Sequence, residues 1–443
     1  MPNPIHRAAT SGSARLNGLS DQLLDSRRLP NGLRLLTSPM PHTRSATISI
    51  YVGAGSRYEA DQDAGISHMV EHVCFKGTER WPTAQQISEA IEGVGGVLNA
   101  ATDRELTVYY AKVPRDHLEL ALGIVTDMVI HPLFDKAELD KERNVIVEEL
   151  AAVEDNPAQL VELDLDQLLW PDHPLGRDVA GTPDTVKAIP HQRVVDYHRR
   201  QYGPRNTLIA VAGAVDPDAV ARSLETLTAT WEFDQPDAWT PVAPLSSDHE
   251  RVNLRTKDTE QANVMIGLPG LDADHPDRYA LSLIAGVLGE GMSSRLFLKI
   301  REELGLAYDV NAYASTMHDT GVFAIYLGVD PDNTMAAIRA TLDQLGHIRD
   351  GITAAELTKI REYIKGRMLL NMEDTRAVSS WYGAQTLLLD RTRSVDEVVA
   401  DVEAVTLDDL ARVADALIRD NCLHLAVVGP FETDAPFRDA LHL

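Results

Sequence analysis

The stretch SHMVEHVCFKG at residues 67–77 sets two histidines and a glutamate within five positions. His68 and His72 are four residues apart, so on a helix they stack one above the other and both imidazoles can reach one ion. Glu71 lies beside them, placed to exchange a proton with a water on that ion. His-x-x-Glu-His is the reversed order of the common zinc-protease signature. Alone, the pattern also fits two histidines on a solvated helix face. A hydrolytic zinc site needs a third protein ligand, commonly a carboxylate, and one position left for water. Segment 141–155 offers that ligand. Val145, Ile146 and Val153 mark a buried stripe at helical spacing, and Glu142 and Glu149, two turns apart, fall on it. Glu148 points the other way. A carboxylate facing a core is costly unless paired or coordinated. Glu149 therefore asks for a cation, and Glu142 is placed to hold a ligand histidine from behind.

Positioning these side chains requires two helices and a sheet to carry them. Over 66–75, Ile66, Met69, Val70, Val73 and Cys74 fall on one side of a helix, and His68, Glu71 and His72 on the other. A PNG turn at 30–32 opens the first ordered unit. LRLLTSPM and SATISIYVGAG then read as strands. AQQISEAIEGVGG reads as a helix ended by glycines, and VLNAATDRELTVYYAKV as one or two strands. RDHLELALGIVTDMVI reads as an amphipathic helix, and DKAELDKERNVIVEELAAVEDNP as a long helix stopped near Pro157. TLIAVAGAV has the continuous apolar character of a buried strand. Residues 232–250 contain proline and serine without periodicity and read as a linker.

Beyond the linker the order of elements repeats. TVYYAKVPRDHLELALGIVTDM (107–128) matches VFAIYLGVDPDNTMAAIRATLDQL (322–345), and the AEL triplets at 137 and 355 align the long helices. The expected fold is α+β: two similar tandem units, each a mostly antiparallel sheet with helices on one face. The expected division is a flexible tail at 1–27, a metal-binding catalytic unit at 28–231, the linker at 232–250 and a metal-free counterpart at 251–443. The second copy carries no histidine opposite the opening stretch, and has Ile360 and Arg367 where the first has Glu142 and Glu149. The polar residues of the first half are thus not needed to build the unit.

Composition narrows the classes. The 443 residues are 44% hydrophobic and 24% charged, with no run long enough to cross a membrane as an apolar helix. A net charge of −26 repels nucleic acid and anionic membranes and attracts cationic partners such as basic peptides. Two cysteines, Cys74 and Cys422, exclude a disulfide framework and a cysteine zinc site, which suits a reducing compartment. The first twenty residues lack the apolar core of a secretory signal. The expected location is the cytoplasm, with an organellar matrix as the alternative.

His68, Glu71 and His72, with Glu149 a further 77 positions on, resemble the inverzincin metallopeptidases, the group of pitrilysin, insulin-degrading enzyme and the mitochondrial processing peptidase. The resemblance spans residues 30 to 430. LGRDVAGTPDTVKAI, RRQYGPRNTLIAVAGAVD, TEQANVMIGLPG and GMSSRLFLKIREELGLAYDV are most similar to its short, two-unit bacterial branch. The resemblance implies one zinc ion held by His68, His72 and Glu149, with Glu71 as general base and Glu142 in support. It implies that LNAAT is an edge strand onto which an extended peptide adds, with Asn99 contacting substrate. Arg301 and Tyr308 match a pair that completes the site, in the same subunit or across a dimer. Gln159 and Leu163 stand where processing peptidases place carboxylates for a substrate arginine, so arginine-directed processing is not implied. The resemblance implies that the two units together form half of a clamshell. The activity implied is hydrolysis of unfolded peptides inside a chamber formed with a second copy or a related subunit. The alternatives are a non-catalytic assembly subunit and an active subunit that needs a non-catalytic partner.

Overall fold

The computed structural model describes residues 24–232, 235–246 and 249–443. In the first half lie strands β1 (Asp25–Arg28), β2 (Arg34–Pro39), β3 (Ser45–Val52), β4 (Val97–Thr102), β5 (Thr107–Pro114) and β6 (Thr207–Gly213), in spatial order β1-β2-β6-β3-β5-β4. In the second lie β7 (Val252–Thr256), β8 (Ala262–Pro269), β9 (Ala307–Thr316), β10 (Gly321–Val329) and β11 (His424–Gly429), in order β7-β11-β8-β10-β9. With β1 set aside, the two orders coincide strand for strand. Each sheet contains one parallel pair, β2 with β6 and β7 with β11, and is otherwise antiparallel. The chain is therefore an α+β protein of two repeated units.

The helices that matter to the site are α1 (Ile66–Cys74), α2 (Leu118–Ile130), α3 (Lys136–Glu154), α4 (Pro157–Leu169), α5 (Arg278–Gly289), α6 (Thr334–Arg349), α7 (Ala354–Asn371) and α8 (Thr375–Leu389). Ile66, Met69, Val70, Val73 and Cys74 of α1 join Ile48, Ile50 and Tyr109 of the first sheet in one core, as the apolar side of that helix requires. Expected to be amphipathic, α2 is instead buried from Ala121 through Val129. Helix Pro217–Leu227 packs against it, which leaves Glu119 in its first turn as its exposed residue.

Each sheet is covered on its second face by a helix from the other half. Leu160, Val161 and Leu165 of α4 pack with Met265, Val322, Ala324, Ala426 and Val428 of the second sheet. Val378 and Tyr382 of α8 pack with Leu36, Tyr51, Val108 and Leu208 of the first. The approach of α8 is close: a Cβ on Gly383 would lie 2.2 Å from the Tyr51 ring. Each buried apolar side chain in these two layers contributes roughly 1.5–3 kcal/mol. The exchange explains why β6 and β11, buried along their whole length, read as unbroken apolar runs.

Two boundaries differ from the sequence reading. Residues 1–23 of the expected tail lie outside the described residues, but Asp25–Arg28 within it forms β1, paired antiparallel with β2 across the 29–33 turn. DSRR has no apolar alternation to mark it as a strand. The PNG segment is thus a hairpin turn rather than the opening of the ordered chain. In the 232–250 linker, positions 233–234 and 247–248 lie outside the described residues. The remainder is irregular but docked: Trp239 lies 4.2 Å from the Arg57 guanidinium and 4.7 Å from the His318 ring. No helix among the described residues is long and apolar enough to cross a membrane.

Candidate metal centre

Helix α1 starts at a point fixed from outside its own sequence. Gly65 takes a left-handed φ of 94°, and a Cβ there would lie 2.4 Å from the Ala180 carbonyl oxygen. No local side chain caps the helix. The buried Glu59 carboxylate instead accepts the Gly65 and Ser67 backbone N–H groups, at 2.9 and 2.8 Å. Burial pushes the Glu59 carboxyl up to about 7, against the lowering effect of those hydrogen bonds. The Ser67 hydroxyl meets Tyr197 Oη at 2.7 Å. The first turn, immediately before His68, is held on two sides.

The two imidazoles stack as their spacing requires, with ring centroids 4.6 Å apart and planes at 75°. His72 Nδ1 lies 2.9 Å from Glu142 Oε2, which assigns the ring proton to Nδ1 and frees the Nε2 lone pair. Lys76 Nζ holds the other Glu142 oxygen at 2.7 Å. Burial lowers His68 to about 4, so its imidazole is neutral. Its Nδ1 is buried without a hydrogen-bond partner.

Glu149 Oε2 lies 3.4 Å from His72 Nε2 and 3.9 Å from His68 Nε2. One ligand atom from each of the three residues lies within 4.8 Å of the others. Zinc bonds of about 2.0–2.2 Å in a tetrahedron put ligand atoms about 3.3–3.5 Å apart. The donor set and its spacing therefore fit a zinc ion, with small side-chain adjustment. The expectation that Glu149 shares a buried stripe with Val145 is corrected. Glu142 and Ile146 are buried, but Val145 is exposed and the Glu149 side chain is 47% exposed. In its second half α3 still packs Ile146, Val147 and Leu150 against the first core and Val153 against the layer under the second sheet. Glu149 lies on the exposed side of that helix, and its carboxylate meets the histidines from there. Glu148, also exposed, makes no ion pair among the described residues.

Glu71 is mostly buried, and that burial raises its carboxyl above the ordinary range. The Thr102 hydroxyl at the end of β4 donates to Glu71 Oε2. Asn99 is exposed on β4, the outermost strand of the first sheet, and its Oδ1 accepts the Ala100 N–H at 2.8 Å. Arg301 and Tyr308 are brought to each other, with the guanidinium 5.4 Å from the Tyr308 ring and 4.8 Å from Phe297. Arg301 stands on a π-helical segment, Phe297–Glu303, a widened geometry that recurs at functional sites. Tyr308 is 74% exposed. Among the described residues neither makes a hydrogen bond, ion pair or ring contact with His68, His72 or Glu149.

Sequence reasoning missed three supporting residues. Lys76 carries a signal, since it lies four positions after His72 on the same helical row. Thr102 sits inside the edge strand already singled out. Glu59 lies only six to eight positions before the N–H groups it caps, but the chain between them has no period that marks the contact.

The second half shows what replaces the site where it is absent. Ile360 of α7 stands where the first half has Glu142, and it packs against α5: a Cβ on Gly286 would lie 2.6 Å from Ile360 Cδ1. Apolar contact is made there in place of the Glu142 hydrogen bond to His72.

Fold and site together define a repeated α+β chain that carries, among the described residues, one His-His-Glu cluster able to hold a metal ion, in its first unit. The chain belongs to peptidase family M16: residues 34–183 match the insulinase (peptidase family M16) model, and residues 188–364 match the peptidase M16 inactive domain. An uncharacterized zinc protease of Streptomyces coelicolor is 38% identical, over 91% of this chain and 89% of the relative. The uncharacterized zinc protease YmxG of Bacillus subtilis is 35% identical, over 90% of this chain and 97% of its own. Among solved structures, a protease from Helicobacter pylori superposes with a TM-score of 0.87 at 23% identity, over 92% of this chain and 99% of that one.

Proposed function

We propose that the chain is a zinc-dependent peptidase that hydrolyses unfolded peptides, with residues 28–231 as the catalytic unit and 251–443 as its metal-free counterpart. The observation that carries this reading is the convergence of His68, His72 and Glu149 within 4.8 Å, beside a carboxylate on the same helix. His68 Nε2, His72 Nε2 and a Glu149 oxygen would hold the ion. When bound, zinc supplies Lewis-acid polarisation of the scissile carbonyl and of water. Glu142 keeps His72 in the Nδ1–H tautomer. Glu71 takes a proton from the attacking water and returns it to the leaving amine, and burial raises its carboxyl above the ordinary range. Thr102 fixes the carboxylate of that base. The open side of β4 receives the peptide as an added strand, with Asn99 among its contacts.

Arg301 and Tyr308 complete the site from a second copy of the chain. Support comes from their pairing on an exposed surface, out of contact with the metal cluster of their own chain. Two such chains would close a chamber that admits unfolded peptides. A related subunit is the alternative partner, and the cytoplasm the proposed location.

Substitution Glu71→Gln is expected to leave one zinc per chain by elemental analysis and to reduce cleavage of a quenched peptide by a factor of 10³ or more. A variant that stays active removes Glu71 as the base. A wild-type chain that binds no zinc supports the competing reading, an assembly subunit without catalysis.

A further inference from the structure

A cavity of about 390 Å³ opens in the second unit, between α5, the end of β9 and α8. It lies outside the metal cluster and shares no residue with it. Its walls are apolar over much of their area, with Trp381, Met368 and Leu389 among the lining side chains. One end is basic. The Tyr279 hydroxyl accepts hydrogen bonds from Arg278 Nη2 at 3.0 Å and Arg393 Nη1 at 2.9 Å. Both lone pairs of that oxygen are thereby used, and its own proton has no protein acceptor among the described residues. Arg393 is neutralised by Asp401. Arg278 has no carboxylate within ion-pair distance among the described residues, in a chain whose net charge is −26. An uncompensated guanidinium and a spare hydroxyl proton therefore meet at the end of an apolar cavity. Guanidinium groups favour carboxylates through charge-assisted hydrogen bonds.

The remaining polar groups favour a peptide over a plain alkyl chain. Ser282 and Thr316 line the same cavity, and neither hydroxyl has a protein partner among the described residues. An alkyl chain would leave both unpaired, at a cost in affinity. The amide groups of a peptide backbone would engage them. The space accommodates a terminal residue with an apolar side chain and part of the residue before it.

We propose that this cavity binds the C-terminal end of a peptide: its free carboxylate at Arg278 and the Tyr279 hydroxyl, and an apolar last side chain against Trp381. The choice of a peptide as occupant rests on the peptidase reading, and the carboxylate preference does not. β9 begins beside Tyr308, six residues before Ala314 in the cavity wall, so the two points lie about 20 Å apart along the strand. A peptide with its C-terminus here is tethered at a distance from Tyr308 that a short extended segment spans.

The test is calorimetric titration of the full chain carrying Glu71→Gln with N-acetyl-Ala-Ala-Leu, as free acid and as amide, and with octanoate. The acid is expected to bind at least tenfold more tightly than the amide and than octanoate. Tyr279→Phe and Arg278→Gln should each abolish the acid-over-amide preference without changing zinc content. Equal affinity for acid and amide overturns the proposal, as does a preference that survives both substitutions. Octanoate binding as tightly as the peptide acid overturns the peptide assignment and makes the site one for small carboxylic acids. If either variant loses its cooperative melt, Ser282→Ala takes its place and should weaken the peptide but not octanoate. The readout is heat of binding, so failure of this site is separable from failure of the peptidase reading, which the quenched-peptide assay tests on the unsubstituted chain.

Discussion

At His72 the decisive interaction is made by the nitrogen that faces away from the cluster. Glu142 accepts a hydrogen bond from Nδ1–H and is itself clamped by Lys76, so the ring cannot turn without breaking its bond to a fixed carboxylate. Partners of this kind typically set metal affinity by a factor of 10 to 100. Glu142→Gln is therefore expected to weaken zinc binding about 10- to 100-fold, measured by competition with a chromophoric chelator. Glu149→Gln removes a ligand atom and should weaken it further, while Glu148→Gln should leave it unchanged. Were Glu148→Gln the damaging substitution, the assignment of the third ligand would be wrong. The three candidate ligand positions were legible because the i,i+4 histidine pair and the two-turn glutamate pair are local patterns. A core-facing stripe does not account for Glu149, since its carboxylate stands in the open.

Among the elements, the segment that carries Arg301 depends on an anchor at its start. Arg295 donates to both oxygens of Glu356, which also accepts the Thr353 N–H and hydroxyl at the head of α7. The Arg295 hydrogen bond, aided by those from Thr353, lowers the Glu356 carboxyl from its ordinary 4.5 to about 2. A carboxylate whose pKa is depressed by folding stabilises the fold above its unfolded pKa, and that contribution is lost as pH falls through the folded value. The stabilisation is fully present above 4.5 and fades towards 2. Because the pair is partly exposed, about 1 kcal/mol is expected. Glu356→Gln should lower the unfolding free energy by about that amount at pH 7 in urea titrations, with a difference that shrinks as pH drops below 4.5. A difference independent of pH would show that the ion pair contributes nothing. Strands β2 to β6 and helices α1 and α3 were readable from alternation, helical periodicity and the stop before Pro157. β1, which is wholly polar, and the covering helices α4 and α8 were not. Their partners lie in the other half, where no local period reports them.

For the molecule as a whole, one buried arginine ties the two units and the linker together. The Arg57 guanidinium is 1% exposed. It pairs with Glu105 at 2.5 Å and with Asp319 of the second unit, and donates to the Thr240 carbonyl. Removing one partner of a buried ion pair costs about 3–5 kcal/mol. Arg57→Met should lower stability by about that amount in chemical denaturation, with loss of the single cooperative transition. A variant that unfolds like the parent would show that the units are held by α4 and α8 alone. The same scale carries the test of the shared site. Chains carrying Glu71→Gln and chains carrying Tyr308→Phe are each expected to be inactive as pure samples. Mixed and re-equilibrated, they should recover about a quarter of wild-type activity. That is the statistical yield of one intact composite site in the mixed dimers that make up half the population. No recovery, with exchange verified by mass, would place the complete site within one chain.

Residue order alone determined the family and the doubling of the fold, because the motifs, helical and strand periods and a repeated element order are written over short spans of chain. It also determined which half carries the candidate His-His-Glu cluster, since the second copy lacks those residues. Tertiary structure decided the rest: that Glu59 starts the histidine helix, that each sheet is closed by a helix from the opposite unit, and that Arg301 and Tyr308 stand apart from the cluster of their own chain. The Glu59 contact spans only six to eight positions but follows no helical or strand period, and the sheet-covering contacts join residues tens to hundreds of positions apart, set by how the two cores dock.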